Sequence, residues 1–115
     1  MSYKIFWTSQ AYLDFSQIVR FIKETWGKKS AEEFIVQIDE IVSLLSKFPF
    51  IGKIIYLQKH IRAFVISKQT ALIYRIKNEK ITILNLFDNR QSPDKLKVNE
   101  NVSGYFQFTE TKIVK

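Results

Sequence analysis

The sequence predicts an α+β domain in which a helical hairpin packs on one face of a small, mostly antiparallel sheet, in the order β-α-α-β-β-β. Apolar residues recur every three or four positions over residues 10–48, which is the helical period. Short β-branched and aromatic runs stand before and after that region. The polar links between the last three runs are only three residues long, and such links join antiparallel neighbours.

The first strand is predicted over residues 3–7, YKIFW. The first helix follows from Gln10 to Trp26, with Ser9 as its N-cap and Gly27 as its stop. Its predicted apolar face consists of Ala11, Phe15, Ile18, Ile22 and Trp26. Trp26 is therefore expected in the core.

The second helix is predicted to begin at a capping box formed by Ser30 and Glu33. Its apolar face is predicted to consist of Phe34, Ile38, Ile41, Leu45 and Phe48. Only residues 27–29 separate the two helices, so they are expected to form an antiparallel hairpin with a shared apolar seam.

Pro49 and Gly52 end the helical pattern, and a loop is predicted from there to about Lys59. Three strands are then predicted, at residues 61–66, 70–76 and 80–87. The main domain is predicted to span residues 1–96. The tail, residues 97–115, is expected either to add a strand or to be disordered.

Composition excludes several classes of site. A chain of 115 residues with 46% hydrophobic residues forms one domain with a sizeable core. It has no cysteine and a single histidine, so neither a metal site nor a disulfide is expected. No cofactor motif is present either, and His60 has no evident catalytic partner in the sequence. Without a signal peptide or a membrane-spanning stretch, the chain is expected to be cytoplasmic.

Positive charge is concentrated in the middle of the chain. Residues 47–97 carry eleven Lys and Arg against three Asp and Glu, whereas residues 1–46 carry five against six. A field of one sign on one part of a fold favours nucleic acid or an acidic protein segment as partner. The cations on or beside the predicted sheet are Lys59, Arg62, Lys68, Arg75, Lys77, Lys80, Arg90, Lys95 and Lys97. Because side chains alternate along a strand, part of this set should project from the face without helices or from the sheet edges.

The order of elements resembles the RelE/ParE family of bacterial type II toxins. The residues that carry the resemblance span about residues 3–96: Trp26-Gly27 between the helices, Pro49-x-x-Gly52, Arg62, ALIYRI in the third strand-like run, and LFDNRQSPDKL at the end of the last one. The resemblance implies a small basic toxin that an acidic antitoxin neutralises by wrapping a segment over its surface. It leaves open whether the toxin forms a homodimer or a toxin–antitoxin hetero-oligomer.

The resemblance also implies two modes of action. RelE-like members cleave messenger RNA on the ribosome without metal, and typically carry an arginine before the L-x-Y of this strand and an acid/base residue near the C-terminus. This chain has Ala71 there and no Tyr or His shortly after Arg90, although Arg62 and Arg90 match cationic positions of the nucleases. ParE-like members inhibit DNA gyrase by binding it, and this sequence resembles them more closely.

The sequence therefore predicts a toxin that binds its target, with a ribosome-dependent endoribonuclease as the alternative. The residues predicted to contact the target are Arg62, Arg75, Arg90, Lys95 and Lys97. Arg90 is expected either to be displayed at the sheet edge or to pair with Asp88 or Asp94. A nucleic-acid-binding module without toxicity is a third hypothesis. It requires exposed stacking aromatics, and the nearby candidates, Phe64 and Tyr74, fit the core better.

Overall fold

The computed structural model describes residues 2–90. In chain order the elements are β1 (Lys4–Trp7), α1 (Ser9–Trp26), α2 (Lys28–Lys47), β2 (Lys53–Tyr56), a short 3-10 helix (Leu57–Lys59), β3 (Ile61–Val65), β4 (Thr70–Lys77) and β5 (Lys80–Asp88). The predicted α+β class is confirmed. The expectations for Asp94, Lys95, Lys97 and the tail lie outside the described residues.

One sheet holds all five strands, in the order β1-β5-β4-β3-β2. β1 runs parallel to β5, and the other neighbours are antiparallel. The β4–β5 link is the tight turn Asn78-Glu79, in which both residues have positive φ, as the two-residue turns of twisted hairpins require. The sheet is thus mostly antiparallel, as predicted.

The strand β2 was not predicted, because residues 53–59 were expected to form a loop. Lys53 pairs with Ala63, Ile54 pairs with Arg62, and a bulge follows before Tyr56. A four-residue strand has too short a pattern to be recognised alone. β2 is recognised as a strand only through its pairing with β3.

The two helices lie on one face of the sheet. The main core contains Ile18, Ile22, Phe34, Ile38 and Leu45 from the helices, and they pack against Leu72, Tyr74, Ile81, Ile83 and Leu86 from the sheet. A second cluster, formed by Ile61, Ile73, Leu84 and Phe87, lies apart from the main core. The alternation of side chains along β4 places Ile73 on the face opposite the helices.

Both predicted helix starts are wrong in detail. The N-cap of α1 is Thr8, whose hydroxyl accepts a hydrogen bond from the backbone N–H of Ala11 at 3.0 Å and donates toward the carbonyl groups of Ile83 and Leu84 in the middle of β5. The α2 helix begins at Lys28, directly after Gly27, so the Ser30 and Glu33 capping box does not form. The Ser30 hydroxyl instead donates to the carbonyl of Trp26. Gly27, at φ 99°, serves both helices, and this backbone conformation favours glycine.

Two aromatic residues assigned to the helical seam are exposed. Trp26 is 52% exposed and contacts Phe21 edge-to-face, while Phe48 is 56% exposed and follows the end of α2. Each stands at the end of a helix, where the chain turns away and no facing helix continues to cover it. The predicted helical periodicity is confirmed, but the apolar contact between the two helices ends before Trp26 and Phe48.

Asp14 joins α1 to the sheet at an irregular point of β5. Its carboxylate accepts hydrogen bonds from the Asn85 amide at 3.2 Å and from the backbone N–H of Leu86 at 3.1 Å. The register between β4 and β5 shifts beside these residues, between Ile73 and Tyr74. A bulge leaves backbone groups without ladder partners, and Asp14 satisfies one of them.

Candidate functional site

The predicted target-contacting arginines do not form one surface. Arg62 is in register with Tyr74, which faces the helices, whereas Arg75 is in register with Ile61 of the second cluster. Arg62 and Arg75 therefore lie on opposite faces of the sheet. Arg90 follows the end of β5, and its guanidinium lies 5.6 Å from the ring of Phe34 on α2, also on the helix side.

Arg62 is occupied by the loop between α2 and β2. Its guanidinium donates to the carbonyl of Gly52 at 2.6 Å and to that of Phe50 at 3.1 Å, and it stacks over the Phe50 ring. Its five fixed donors suit such a set of neighbouring acceptors. The presence of Arg62 within an apolar strand is therefore explained by the backbone carbonyl groups that its guanidinium contacts.

Tyr74 also holds this loop in place, through its hydroxyl group. Its hydroxyl donates to the Pro49 carbonyl at 2.7 Å and accepts from the backbone N–H of Gly52 at 2.9 Å. Burial raises the pKa of Tyr74, while the Gly52 hydrogen bond and the nearby charge of Arg62 act in the opposite direction. We call Arg62, Tyr74 and the segment 49–52 the loop clamp. The prediction that Tyr74 belongs to the core is confirmed, and Phe64 is partly buried against the same core.

Arg90 is paired with Asp88, the second of the two expected arrangements. Its Nε and one terminal nitrogen contact the two carboxylate oxygens of Asp88 at 2.9 and 2.6 Å, and its backbone N–H donates to the same carboxylate. Thr70 adds a hydroxyl donor at 2.8 Å. The hydrogen bonds that Arg90 donates to Asp88 raise the pKa of Arg90, and its burial acts in the opposite direction. We call Thr70, Asp88 and Arg90 the strand-end bracket.

The strand-end bracket is not a surface ion pair. The Asp88 side chain is fully buried, and that of Arg90 is 23% exposed. A buried carboxylate without partners is costly, so Asp88 requires the donors that surround it. Arg90 is thus held by the fold and is only partly open to a target.

Other basic residues line two adjoining grooves at the β4–β5 hairpin end of the sheet. One groove, of about 590 Å³, brings His60 together with Lys59, Arg62 and Arg75. Sequence reasoning missed this grouping because His60 is distant in sequence from Arg75, and only the β3–β4 register brings them close. The other groove, of about 350 Å³, lies on the face opposite the helices and is lined by Arg75, Lys77, Asn78, Lys80, Thr82 and Leu84.

Within residues 2–90 no group of three His, Asp or Glu side chains is placed to hold a metal ion. No helix in that range is long and apolar enough to cross a membrane. What the described site offers is hydrogen-bond donors and positive charge, together with one histidine.

The sequence model of the ParE toxin of the type II toxin–antitoxin system parDE matches residues 5–93, which is most of the chain. The chain belongs to the ParE toxin family. It is thus a toxin of a type II toxin–antitoxin system within the broader RelE/ParE group. No curated protein matches this toxin.

Solved structures share the fold of this ParE-family toxin at low sequence identity. A chain of the chromosomal ParDE system from P. aeruginosa is 20% identical, with a TM-score of 0.64 over 76% of the toxin and 96% of that chain. The toxin–antitoxin complex RelBE2 from Mycobacterium tuberculosis contains a chain with 19% sequence identity and a TM-score of 0.56. The match covers 76% of this toxin and 99% of that chain. The YoeB/ParE toxin from Agrobacterium tumefaciens has 14% sequence identity and a TM-score of 0.55, over 74% of this toxin and 96% of that chain.

Proposed function

We propose that this toxin acts in the cytoplasm by binding and inhibiting an essential target, and that the target is DNA gyrase. The observation that carries the proposal is that Arg62 and Arg90, the cations at the positions where the nucleases carry cations, are both hydrogen-bonded to acceptors within the fold. Arg62 is held by two loop carbonyls and Arg90 by a buried carboxylate. Charge stabilisation of a reacting phosphate requires donors aimed at it, and these donors are aimed at the fold.

The family match supports the same choice, because the ParE-like branch that the sequence resembles inhibits gyrase. The alanine at position 71 adds support: it is buried in β4, so it leaves no cation where the nucleases typically have one. The toxin would then act through its surface and without covalent chemistry.

The ribosome-dependent endoribonuclease is the competing function, and one observation favours it. His60 is exposed and lines the same groove as Arg62 and Arg75, and an imidazole near two guanidinium groups is a plausible acid/base and charge-stabilising set. This groove lies away from the strand-end bracket, so a nuclease site here would use His60 and would not use Arg90.

The two functions are separated by parallel assays of the purified toxin. We expect loss of gyrase supercoiling of a relaxed plasmid and no codon-specific cuts in primer extension on ribosome-bound messenger RNA. His60→Gln should inhibit gyrase as well as the unmodified toxin does, and so should the control Gln17→Asn on the outer surface of α1. Cuts that His60→Gln abolishes and the control retains would establish the nuclease instead.

We also propose an acidic antitoxin as partner, bound over the block of residues 47–97. Two of the similar structures come from a ParDE system and a RelBE2 toxin–antitoxin complex, which supports an antitoxin partner. Because rim charges are screened by salt, the affinity should fall between low and high ionic strength. A calorimetric titration at both salt concentrations checks this and gives the stoichiometry of the complex. Equal affinities would show that charge does not contribute.

A further inference from the structure

Three lysines form a row across three neighbouring strands on the face opposite the helices. Lys77 is in register with Lys80, and Lys80 is in register with Lys4. All three are exposed. Their sequence neighbours Ile5, Ile76 and Ile81 pack in the main core, which fixes the lysines on the other face. Neighbouring strands lie about 4.8 Å apart, and like charges directly opposite each other destabilise a sheet. The repulsion within this row of like charges is unfavourable for the folded chain.

A second row lies beside the first, where Arg75 is in register with Thr82 and Thr82 with Phe6. The Nε of Arg75 is buried and has no hydrogen-bond partner among residues 2–90. Phe6 is 46% exposed, and the Lys80 ammonium lies 5.6 Å from the centre of its ring. We call these six residues, Lys4, Phe6, Arg75, Lys77, Lys80 and Thr82, the basic face.

Among residues 2–90, those that line the groove of about 350 Å³ on the basic face include no carboxylate. It adjoins the groove of about 590 Å³ and shares Arg75, Lys77 and Asn78 with it. The cations therefore continue from the open face around the hairpin end toward Lys59 and Arg62. Glu79 also lines the larger groove, so the uninterrupted positive track is the one on the basic face. With the ring of Phe6 beside it, this track suits a chain of regularly spaced anions.

We propose that the basic face binds single-stranded nucleic acid. The lysines would neutralise successive phosphates, the positive charge of Arg75 would add to the cationic track, and the face of Phe6 would stack on a base. Single-stranded binders combine these two features, a cationic track and aromatic platforms. Within residues 2–90, no helix or ribbon projects from this face of the sheet to enter the groove of a duplex. An acidic peptide would satisfy the lysines but has no flat base to stack on Phe6.

This inference is independent of the gyrase proposal, because gyrase inhibition concerns binding to a protein. It is tested by fluorescence anisotropy of the full chain with a labelled dT15 oligonucleotide at several salt concentrations. Lys77→Ser/Lys80→Ser should weaken binding at least tenfold. It should also reduce the slope of log affinity against log salt by about 1.4, since each lost phosphate contact contributes about 0.7 for single strands. Phe6→Ser should weaken binding roughly tenfold with little change in that slope.

The matched control is Lys28→Ser/Lys29→Ser, which removes the same charge from exposed positions of α2. It should change the affinity less than twofold, and thermal unfolding should show that every variant remains folded. If both double variants lost the same affinity for dT15, the loss would depend only on net charge, and the proposal would be overturned. The same is true if dT15 does not bind, or if Phe6→Ser leaves its binding unchanged. Poly-L-glutamate serves as the second probe, and tighter binding of it than of dT15 at equal charge would assign the face to an acidic peptide.

Discussion

The helix side of the sheet and the opposite side use their cations differently. On the helix side, Arg62 and Arg90 each contact acceptors of the fold, at distances of 2.6 to 3.1 Å. On the other side, three lysines stand in register with one another across three strands. One set of cations fixes a loop and a strand end, and the other is presented to solvent.

This difference shows that a positively charged segment of sequence does not by itself define a binding surface. A guanidinium offers several donors in a fixed plane and can remain within a fold when carbonyl or carboxylate groups surround it. An ammonium on a flexible stem usually stays in water. Within residues 47–90, the arginines at 62 and 90 therefore contact the fold, whereas the lysines near the β4–β5 hairpin remain exposed and are the ones that we propose for recognition.

The largest effect is expected at Gly52, inside the loop clamp. A Cβ atom there would lie 2.5 Å from the Tyr74 hydroxyl oxygen and 2.8 Å from its ring, and the buried ring has little room to move. Gly52→Ala should cost toward the upper end of about 1 to 3 kcal/mol in the free energy of unfolding. Denaturant unfolding measures this cost.

The control for Gly52 is the double variant with Tyr74→Phe, which removes the closest atom. Its cost should be clearly smaller than the sum of the two single costs, because the two changes act on the same contact. Strictly additive costs would show that the loop clamp is not the tight contact described here.

A smaller effect is expected for Tyr74→Phe, which leaves the Pro49 carbonyl and the Gly52 N–H without their partner. The cost should lie toward the lower end of about 1 to 3 kcal/mol at neutral pH. Burial raises the pKa of Tyr74 above its ordinary value of 10.0, so above that pH the unfolded chain loses this proton first and unfolding is favoured. The advantage of the unmodified toxin is therefore complete below pH 10 and declines above it.

Urea unfolding of both proteins at pH 8 and pH 11 tests this dependence. Deprotonation of the lysines is common to the two proteins and cancels in the difference. A stability difference that is the same at both pH values would contradict the role given to the buried hydroxyl.

The smallest effect is expected for Lys77→Ser on the basic face. Removing one of two directly opposed lysines should change the free energy of unfolding by no more than about 0.5 kcal/mol, in the stabilising direction. The gain should disappear at 1 M salt, where exposed charges are screened. A clear loss of stability would mean that Lys77 has a structural partner, as the two arginines do.

Periodicity predicted most of the fold, because long helices and eight-residue strands bury a regular set of side chains. It failed where partners decide the outcome. The strand β2 depends on β3, the start of α2 depends on Gly27, and Trp26 is exposed because α2 begins beyond it. Such features depend on tertiary neighbours, which a local pattern does not contain.

The candidate site was predicted less well than the fold. Cations were expected on the open face or at the edges, but the register was needed to separate Arg62 from Arg75. Phe6 was missed as an exposed aromatic, although the alternation in KIFW, with Ile5 and Trp7 facing the core, could have found it. The pairing of Arg90 with Asp88 was foreseen, but as a weak surface pair, because burial of Asp88 is a property of the assembled sheet.

The most direct test of the distinction between structural arginines and presented lysines is a double-mutant cycle of Arg90→Ala and Asp88→Asn. The free energy of unfolding is measured for all four proteins. We expect Arg90→Ala to cost about 2 to 3 kcal/mol, less than the loss of a fully buried partner because Arg90 is partly exposed. The coupling energy should exceed about 1.5 kcal/mol. A coupling below about 0.5 kcal/mol, with Arg90→Ala as stable as the unmodified toxin but no longer able to inhibit growth at equal abundance, would place Arg90 on the toxic surface and contradict this account.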